Sequence, residues 1–261
     1  MEPGIREIVL NFNGKYSSGY EYFPVKKNAL PAILLCHGNY REGKDSKIML
    51  SMAERLSGNG FTVVTFDNVC YNKAWKPDNG EIHSHEEIDM RWAAFAAVTY
   101  IREKYDEKRV IIMGHSMGAS IALSVGALSS HVNEIIAISP PRISAFLFDD
   151  AKLYDFWIEN QNNINVKIDM DILRSIRFDM MTENYIPLLR RKRTLFLCGY
   201  KERYLNYKNW IETTAASIGE NSEMIIVPGA DHFYGVSPGK EDPEVFDSLI
   251  NSIIKWINKN N

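Results

Sequence analysis

The chain has 261 residues, 45% of them hydrophobic and 11% aromatic, which is enough to bury one large core in a single α/β domain. With 30 basic and 33 acidic residues the formal net charge is -3, so there is no basic surplus for general nucleic-acid binding. No apolar run approaches membrane-spanning length, which excludes stable membrane insertion, and the first eight residues lack the basic start and apolar core of a secretory signal.

Alternating residues over 5–12 and 19–25, separated by 13–18, predict an antiparallel hairpin at the start of the chain. Six short runs rich in Ile, Val, Leu and Phe follow at 32–36, 61–66, 109–113, 134–138, 194–198 and 223–227. Continuously apolar runs of this length are what parallel strands covered on both faces require. Helical periodicity lies between most of them. Ile48, Met52 and Leu56 share a face before Gly58 and Gly60, and Ile88, Trp92, Phe95 and Thr99 repeat the pattern, with Ser84 and Glu87 placed as a capping box. A helix carrying Gly118, Ala119, Ala122 and Gly126 can lie close against a sheet, and a last helix opens at Asp242-Pro243 with Phe246, Leu249, Ile250, Ile253 and Ile257 on its buried face. The expected architecture is a mostly parallel eight-stranded sheet with helices on both faces.

The stretch 140–193 is too long for an ordinary connection and is rich in apolar residues, among them Phe146, Phe148, Phe156 and Trp157. A small helical cap inserted into a core of 1–139 and 194–261 fits it. The run from Arg190 to Arg193 precedes a strand, hence lies at the amino edge of the sheet, and reads as a solvated cluster. Cys36 and Cys198 end predicted buried strands, so with three cysteines in all, free core thiols in a reducing, cytoplasmic compartment are expected.

Chemistry is concentrated in three separated motifs. Gly114-His115-Ser116-Met117-Gly118 sets a serine between two glycines where an apolar run stops and a small-residue helix begins, the pattern of a nucleophile elbow. His37-Gly38-Asn39 ends an earlier strand, and Asp231-His232 follows the last one. In this order the motifs resemble the α/β-hydrolase superfamily over nearly the whole chain, and within it compact carboxylesterases of the monoacylglycerol-lipase and cinnamoyl-esterase kind.

The resemblance implies a serine esterase acting on small-molecule acyl esters of small to medium size through an acyl-enzyme. Ser116 would be its nucleophile and His232 its base. The superfamily's acid falls a few residues after the strand preceding the final helix and strand, where this chain has Gly199-Tyr200-Lys201-Glu202, so Glu202 takes that place, with Asp149 or Asp150 as alternatives. The backbone amides of Met117 and Asn39 would form the oxyanion hole, and the cap, through Phe146, Phe148, Phe156 and Trp157, would line the substrate pocket. The same triad would also serve a thioesterase or an acylaminopeptidase-like hydrolase, and the fold alone could serve a binding protein. His37 is expected to brace its loop, His115 to pack or hydrogen-bond within the elbow, and Asp231 to shape its turn.

No cofactor is expected, since neither phosphate-loop nor dinucleotide-binding glycine patterns occur. No metal is expected either, because His83, His85 and their acidic neighbours have no second ligand cluster and Ser84 and Glu87 are already explained as a cap. The loop from Asp67 to Trp75 departs from the Arg-Gly-His-Gly turn common in the superfamily, so substrate contacts inferred from relatives there do not carry over. The oligomeric state is not legible.

Overall fold

The computed structural model describes residues 4–12, 14–24, 30–40, 42–68, 81–82, 89–105, 109–144, 167–168, 178–202 and 207–259. β1 (Gly4–Phe12) and β2 (Lys15–Phe23) pair antiparallel, with Phe12 opposite Lys15. Only two residues separate that pair, and the second of them, Gly14, has φ 79°. The second strand therefore starts at Lys15 rather than at Gly19, because Asn13-Gly14 is the sequence of a two-residue hairpin turn.

β3 (Ala32–Cys36), β4 (Thr62–Phe66), β6 (Val110–His115), β7 (Val132–Ile138), β9 (Arg193–Gly199) and β10 (Ser222–Val227) are the six expected parallel strands. Two further short strands, β5 (Glu81–Ile82) and β8 (Lys167–Ile168), pair with each other in a separate sheet. The main sheet has eight strands in the order β1-β2-β4-β3-β6-β7-β9-β10, with the hairpin joined antiparallel to β4.

Alternation along β3 shows how one strand feeds two cores. Ala32, Leu34 and Cys36 face α2 (Trp92–Lys104), α3 (Met117–Leu128) and α5 (Tyr207–Ile218), while Ile33 and Leu35 face α1 (Lys47–Gly58) and α6 (Pro243–Asn258). The short α4 (Ile186–Leu189) packs beside α3 and α5. The predicted face of α6 is buried together with Trp256, and Asp242 caps the helix by accepting from the Val245 N–H at 3.2 Å. Helix α2 begins at Trp92 rather than near Ile88. The Asp89 carboxylate accepts from the Arg91 N–H at 2.9 Å just ahead of it, and the proposed cap residues Ser84 and Glu87 lie outside the described residues.

The basic run is only half solvated. Arg190 and Arg191 are exposed, but the Lys192 ammonium is buried and donates to the carbonyls of Ser129 (2.8 Å) and Val132, where α3 ends and β7 begins. Arg193 binds Glu134 at 2.7 Å and stacks on Trp256, 3.8 Å from the ring centre. These two cations satisfy carbonyls and a carboxylate at the amino edge of the sheet, where strand and helix ends leave acceptors without partners. Cys36 and Cys198 are free and buried, and burial pushes the Cys198 thiol up to about 11. Among the described residues no helix is long and apolar enough to cross a membrane.

Candidate active site

The chain runs from β3 outward to β4 and then crosses back to β6, so β3 and β6 lie side by side with their carboxyl ends level, Cys36 opposite Gly114. Such a reversal opens a crevice at the carboxyl ends of the strands. Ser116 sits there, half-buried, between β6 and α3, at φ 55° and ψ -125°. Its N–H donates to the Ile138 carbonyl at 2.9 Å and its own carbonyl accepts from the Ala119 N–H at 2.9 Å, which fastens the turn to β7 and to the helix.

The flanking glycines are required by close approach. A Cβ on Gly114 would overlap the Gly118 carbonyl, and one on Gly118 would overlap the carbonyls of Cys36 and His37. Helix α3 thus rests directly on the end of β3, and the following loop is drawn against the turn until a Cβ on Gly38 would come within 2.9 Å of the Ser116 Cβ. This packing puts the Asn39 loop beside the serine. Met117 is the first residue of α3, where an amide has no helical carbonyl to bond and the helix dipole favours negative charge.

His232 lies after β10, and its Nδ1 is 3.1 Å from Glu202 Oε2 and 3.2 Å from Oε1. An ionised carboxylate only accepts, so Nδ1 carries the proton. The Glu202 side chain is 1% exposed and that of His232 22%, so a buried acid backs an imidazole that reaches the surface. Glu202 Oε2 also accepts from the Ser139 hydroxyl at 2.9 Å, and Ser139 Oγ lies 2.9 Å from the Tyr234 hydroxyl. Neither Ser139 nor Tyr234 was legible as a site residue. Each belongs to a loop at a different strand end, and no local pattern marks such a meeting.

His115, within the elbow, ties the two halves of the site together. Its Nε2–H donates to the His232 carbonyl at 2.7 Å, its Nδ1 accepts from the Tyr40 hydroxyl, and the two imidazole rings are 4.8 Å apart. Burial, reinforced by the neighbouring His232, holds His115 well below the usual histidine range, so it stays neutral and keeps both bonds. His37 braces its loop as expected. Its Nδ1–H donates to the Gly38 carbonyl at 2.7 Å, its Nε2 accepts from the Asn68 N–H at 2.9 Å, and burial lowers its pKa. The Asp231 carboxylate accepts from the Phe233 N–H at 3.0 Å and so shapes the turn beside His232.

Ser116, Met117, Asn39, His232 and Glu202 are therefore gathered at one edge of the sheet. Phe146, Phe148, Phe156 and Trp157, the alternative acids Asp149 and Asp150, the cluster around His83 and His85, and residues 69–75 lie outside the described residues. Among the described residues no three His, Cys, Asp or Glu side chains converge as a metal site.

This fold is shared with known proteins. The chain belongs to the α/β-hydrolase fold family, whose model matches residues 31–167, just over half of its length. Esterase EstD of Thermotoga maritima is 27% identical over 123 residues, covering 45% of this chain but only 29% of EstD. Among solved structures, a carboxyl esterase from Bacillus coagulans superposes with a TM-score of 0.70 at 17% identity, over 97% of this chain and 98% of that one. A soluble variant of monoglyceride lipase from Saccharomyces cerevisiae does so with a TM-score of 0.68 at 17% identity, over 99% of this chain and 95% of that one. At such identities the likeness is one of fold.

Proposed function

We propose that the protein is a serine esterase that hydrolyses small to medium carboxylic acyl esters through an acyl-enzyme. Ser116 Oγ attacks the ester carbonyl carbon while its proton passes to His232 Nε2, and Glu202 holds the imidazole in the required tautomer and orientation. The Met117 and Asn39 amides take the oxyanion. Collapse of the tetrahedral species expels the alcohol, which leaves with the proton from His232. Water then attacks the acyl-enzyme by the same route, releasing the acid and restoring Ser116.

The observation that carries this reading is the hydrogen-bonded pair His232–Glu202 at the same sheet edge as a serine held at positive φ in a glycine-flanked turn. Esterase and lipase relatives of the same fold support the substrate class. The cap over 140–193 would supply the acyl pocket through Phe146, Phe148, Phe156 and Trp157, and the free thiols support action in a reducing cytoplasm. A fluorophosphonate probe tests the reading, with labelling expected at Ser116 alone, mapped by mass spectrometry and lost together with ester hydrolysis in Ser116→Ala. Hydrolysis that survives in folded Ser116→Ala overturns it. A panel of esters, thioesters and acyl amides of graded chain length then separates esterase from thioesterase and amidase.

A further inference from the structure

Among the described residues three non-glycine positions have positive φ, namely Ser116 (55°), Ser139 (44°) and Tyr234 (51°). One is the proposed nucleophile. The other two are fully buried and bonded to each other behind the proposed acid. Non-glycine residues enter this region at a cost and stay there only when their surroundings hold them, and such strain collects at functional sites.

The hydrogens in this cluster can be ordered. Glu202 Oε2 can only accept when ionised, so the 2.9 Å contact with Ser139 uses the single hydroxyl proton of the serine. Ser139 Oγ must then accept at its other 2.9 Å contact, and Tyr234 donates. Burial drives the Tyr234 phenol well above its ordinary range, so it keeps that proton at any working pH. The protons thus run in one sense, from Tyr234 to Ser139 to Glu202, and the same Oε2 that receives Ser139 faces His232 Nδ1 at 3.1 Å.

We propose that Ser139 and Tyr234 are positioning residues of the esterase reaction, a directed hydrogen-bond chain that fixes the Glu202 carboxylate against His232; this rests on the reading of Ser116, His232 and Glu202 given above. The backbone explains why the chain is rigid. Ser139 follows β7 and donates its N–H to the Leu197 carbonyl of β9 at 2.8 Å, while Glu202 follows that same carboxyl end of β9. Acid and serine are therefore mounted on neighbouring paired strands, and Tyr234, two residues beyond His232, closes the ring from the base's own loop. A carboxylate can turn about its terminal bond, and two donors on one oxygen stop that turning. As imidazolium forms during attack by Ser116, the charge it needs is already in place.

The test measures kcat and KM separately for Ser139→Ala, Tyr234→Phe and the double variant, with Ser116→Ala and Glu202→Gln in the same assay. Losing a hydrogen bond to a charged group predicts kcat down by roughly 10- to 100-fold for Ser139→Ala, with KM nearly unchanged. Tyr234→Phe, which keeps the ring and removes only the hydroxyl, should lower kcat by roughly 3- to 10-fold. Because the chain passes through Ser139, the double variant should be no slower than Ser139→Ala alone. The low-field proton resonance of the His232–Glu202 bond should broaden or shift in both single variants, a signature that loss of packing elsewhere would not move. Should Ser139→Ala fail to fold, Tyr234→Phe decides by the same readings. Wild-type kcat in the folded variants, a change confined to KM, or effects that multiply in the double variant overturns the chain while leaving the triad intact. Activity in Ser116→Ala would instead overturn the reading on which it rests.

Discussion

Glu21 and Glu202 are both carboxylates shut away from solvent, yet their surroundings differ in kind. Glu21, on β2, receives the Lys104 ammonium, the Arg6 guanidinium and the hydroxyls of Tyr100 (3.0 Å) and Tyr105, donors drawn from β1, α2 and the residue that follows α2. Burial, followed by the bond to Glu21, pushes Tyr100 up to about 12, so it remains a donor at ordinary pH. Among the described residues the Glu202 carboxylate meets the neutral hydroxyl of Ser139 and the imidazole of His232, and no Lys or Arg lies within ion-pairing distance of it. A carboxylate already matched by cations has little field left for a neighbour, whereas one held by neutral donors keeps its charge for an imidazolium that forms beside it. Burial of an acid is therefore no guide to its use, and the sign of what surrounds it is.

The largest expected effect tests the site as a whole. Ser116→Ala and His232→Ala should each lower kcat by about 10⁴ to 10⁶ with the fold intact by circular dichroism, since only binding and the oxyanion donors remain. The two acids should then part company. Glu202→Gln should lose roughly 10² to 10⁴ in kcat with little change in stability, because the imidazole loses its orienting charge. Glu21→Gln should do the reverse, costing about 3 kcal/mol in denaturant unfolding, near the lower end for a broken buried pair because Arg6 and Lys104 can turn to solvent. Its kcat should stay at the wild-type value. If Glu21→Gln slows turnover as much as Glu202→Gln, the contrast between the two acids fails.

The buried histidines give a smaller, pH-dependent effect. His37 and His115 both titrate lower folded than unfolded, so below about pH 6.5 the unfolded chain takes up their protons first. Stability should fall as pH drops from that point, by up to about 1.4 kcal/mol per pH unit for each residue until its folded pKa is reached. His115→Gln, which can still donate and accept but does not titrate, should remove one residue's share of that slope in thermal melts between pH 5 and 7.5. The smallest effect concerns acyl preference. Shrinking Phe146, Phe148, Phe156 or Trp157 singly to Ala should change kcat/KM for medium-chain esters relative to acetate esters, by up to about 0.8 kcal/mol per methylene that loses its apolar contact. A common factor across all chain lengths would move the acyl pocket to the loop between Asp67 and Trp75.

Much of this arrangement was legible because it is written locally. The six parallel strands are short apolar runs, and the elbow announces itself because Gly114 and Gly118 are demanded by backbones in contact. The hairpin turn is also written locally, in Asn13-Gly14, although the alternation of residues around it predicts a longer loop. What stayed hidden depends on distant partners. Ser139 reaches Glu202 and Tyr234 across 63 and 95 positions of sequence, through loops that the sheet order brings together. Lys192 and Arg193 read as solvated for the same reason, since a charge run does not disclose that the carbonyls of Ser129 and Val132 and the face of Trp256 await it.

The backbone at Ser116, φ 55° and ψ -125°, is one that glycine enters freely and serine does not. Ser116→Gly should therefore give an inert protein that melts higher than the wild type. The gain would be about 1 kcal/mol, the relief of local strain being partly offset by glycine's greater freedom in the unfolded chain. Selection for heat resistance alone would thus carry this position to glycine and silence the protein. A lineage that keeps serine there under thermal stress must find its extra stability elsewhere in the fold.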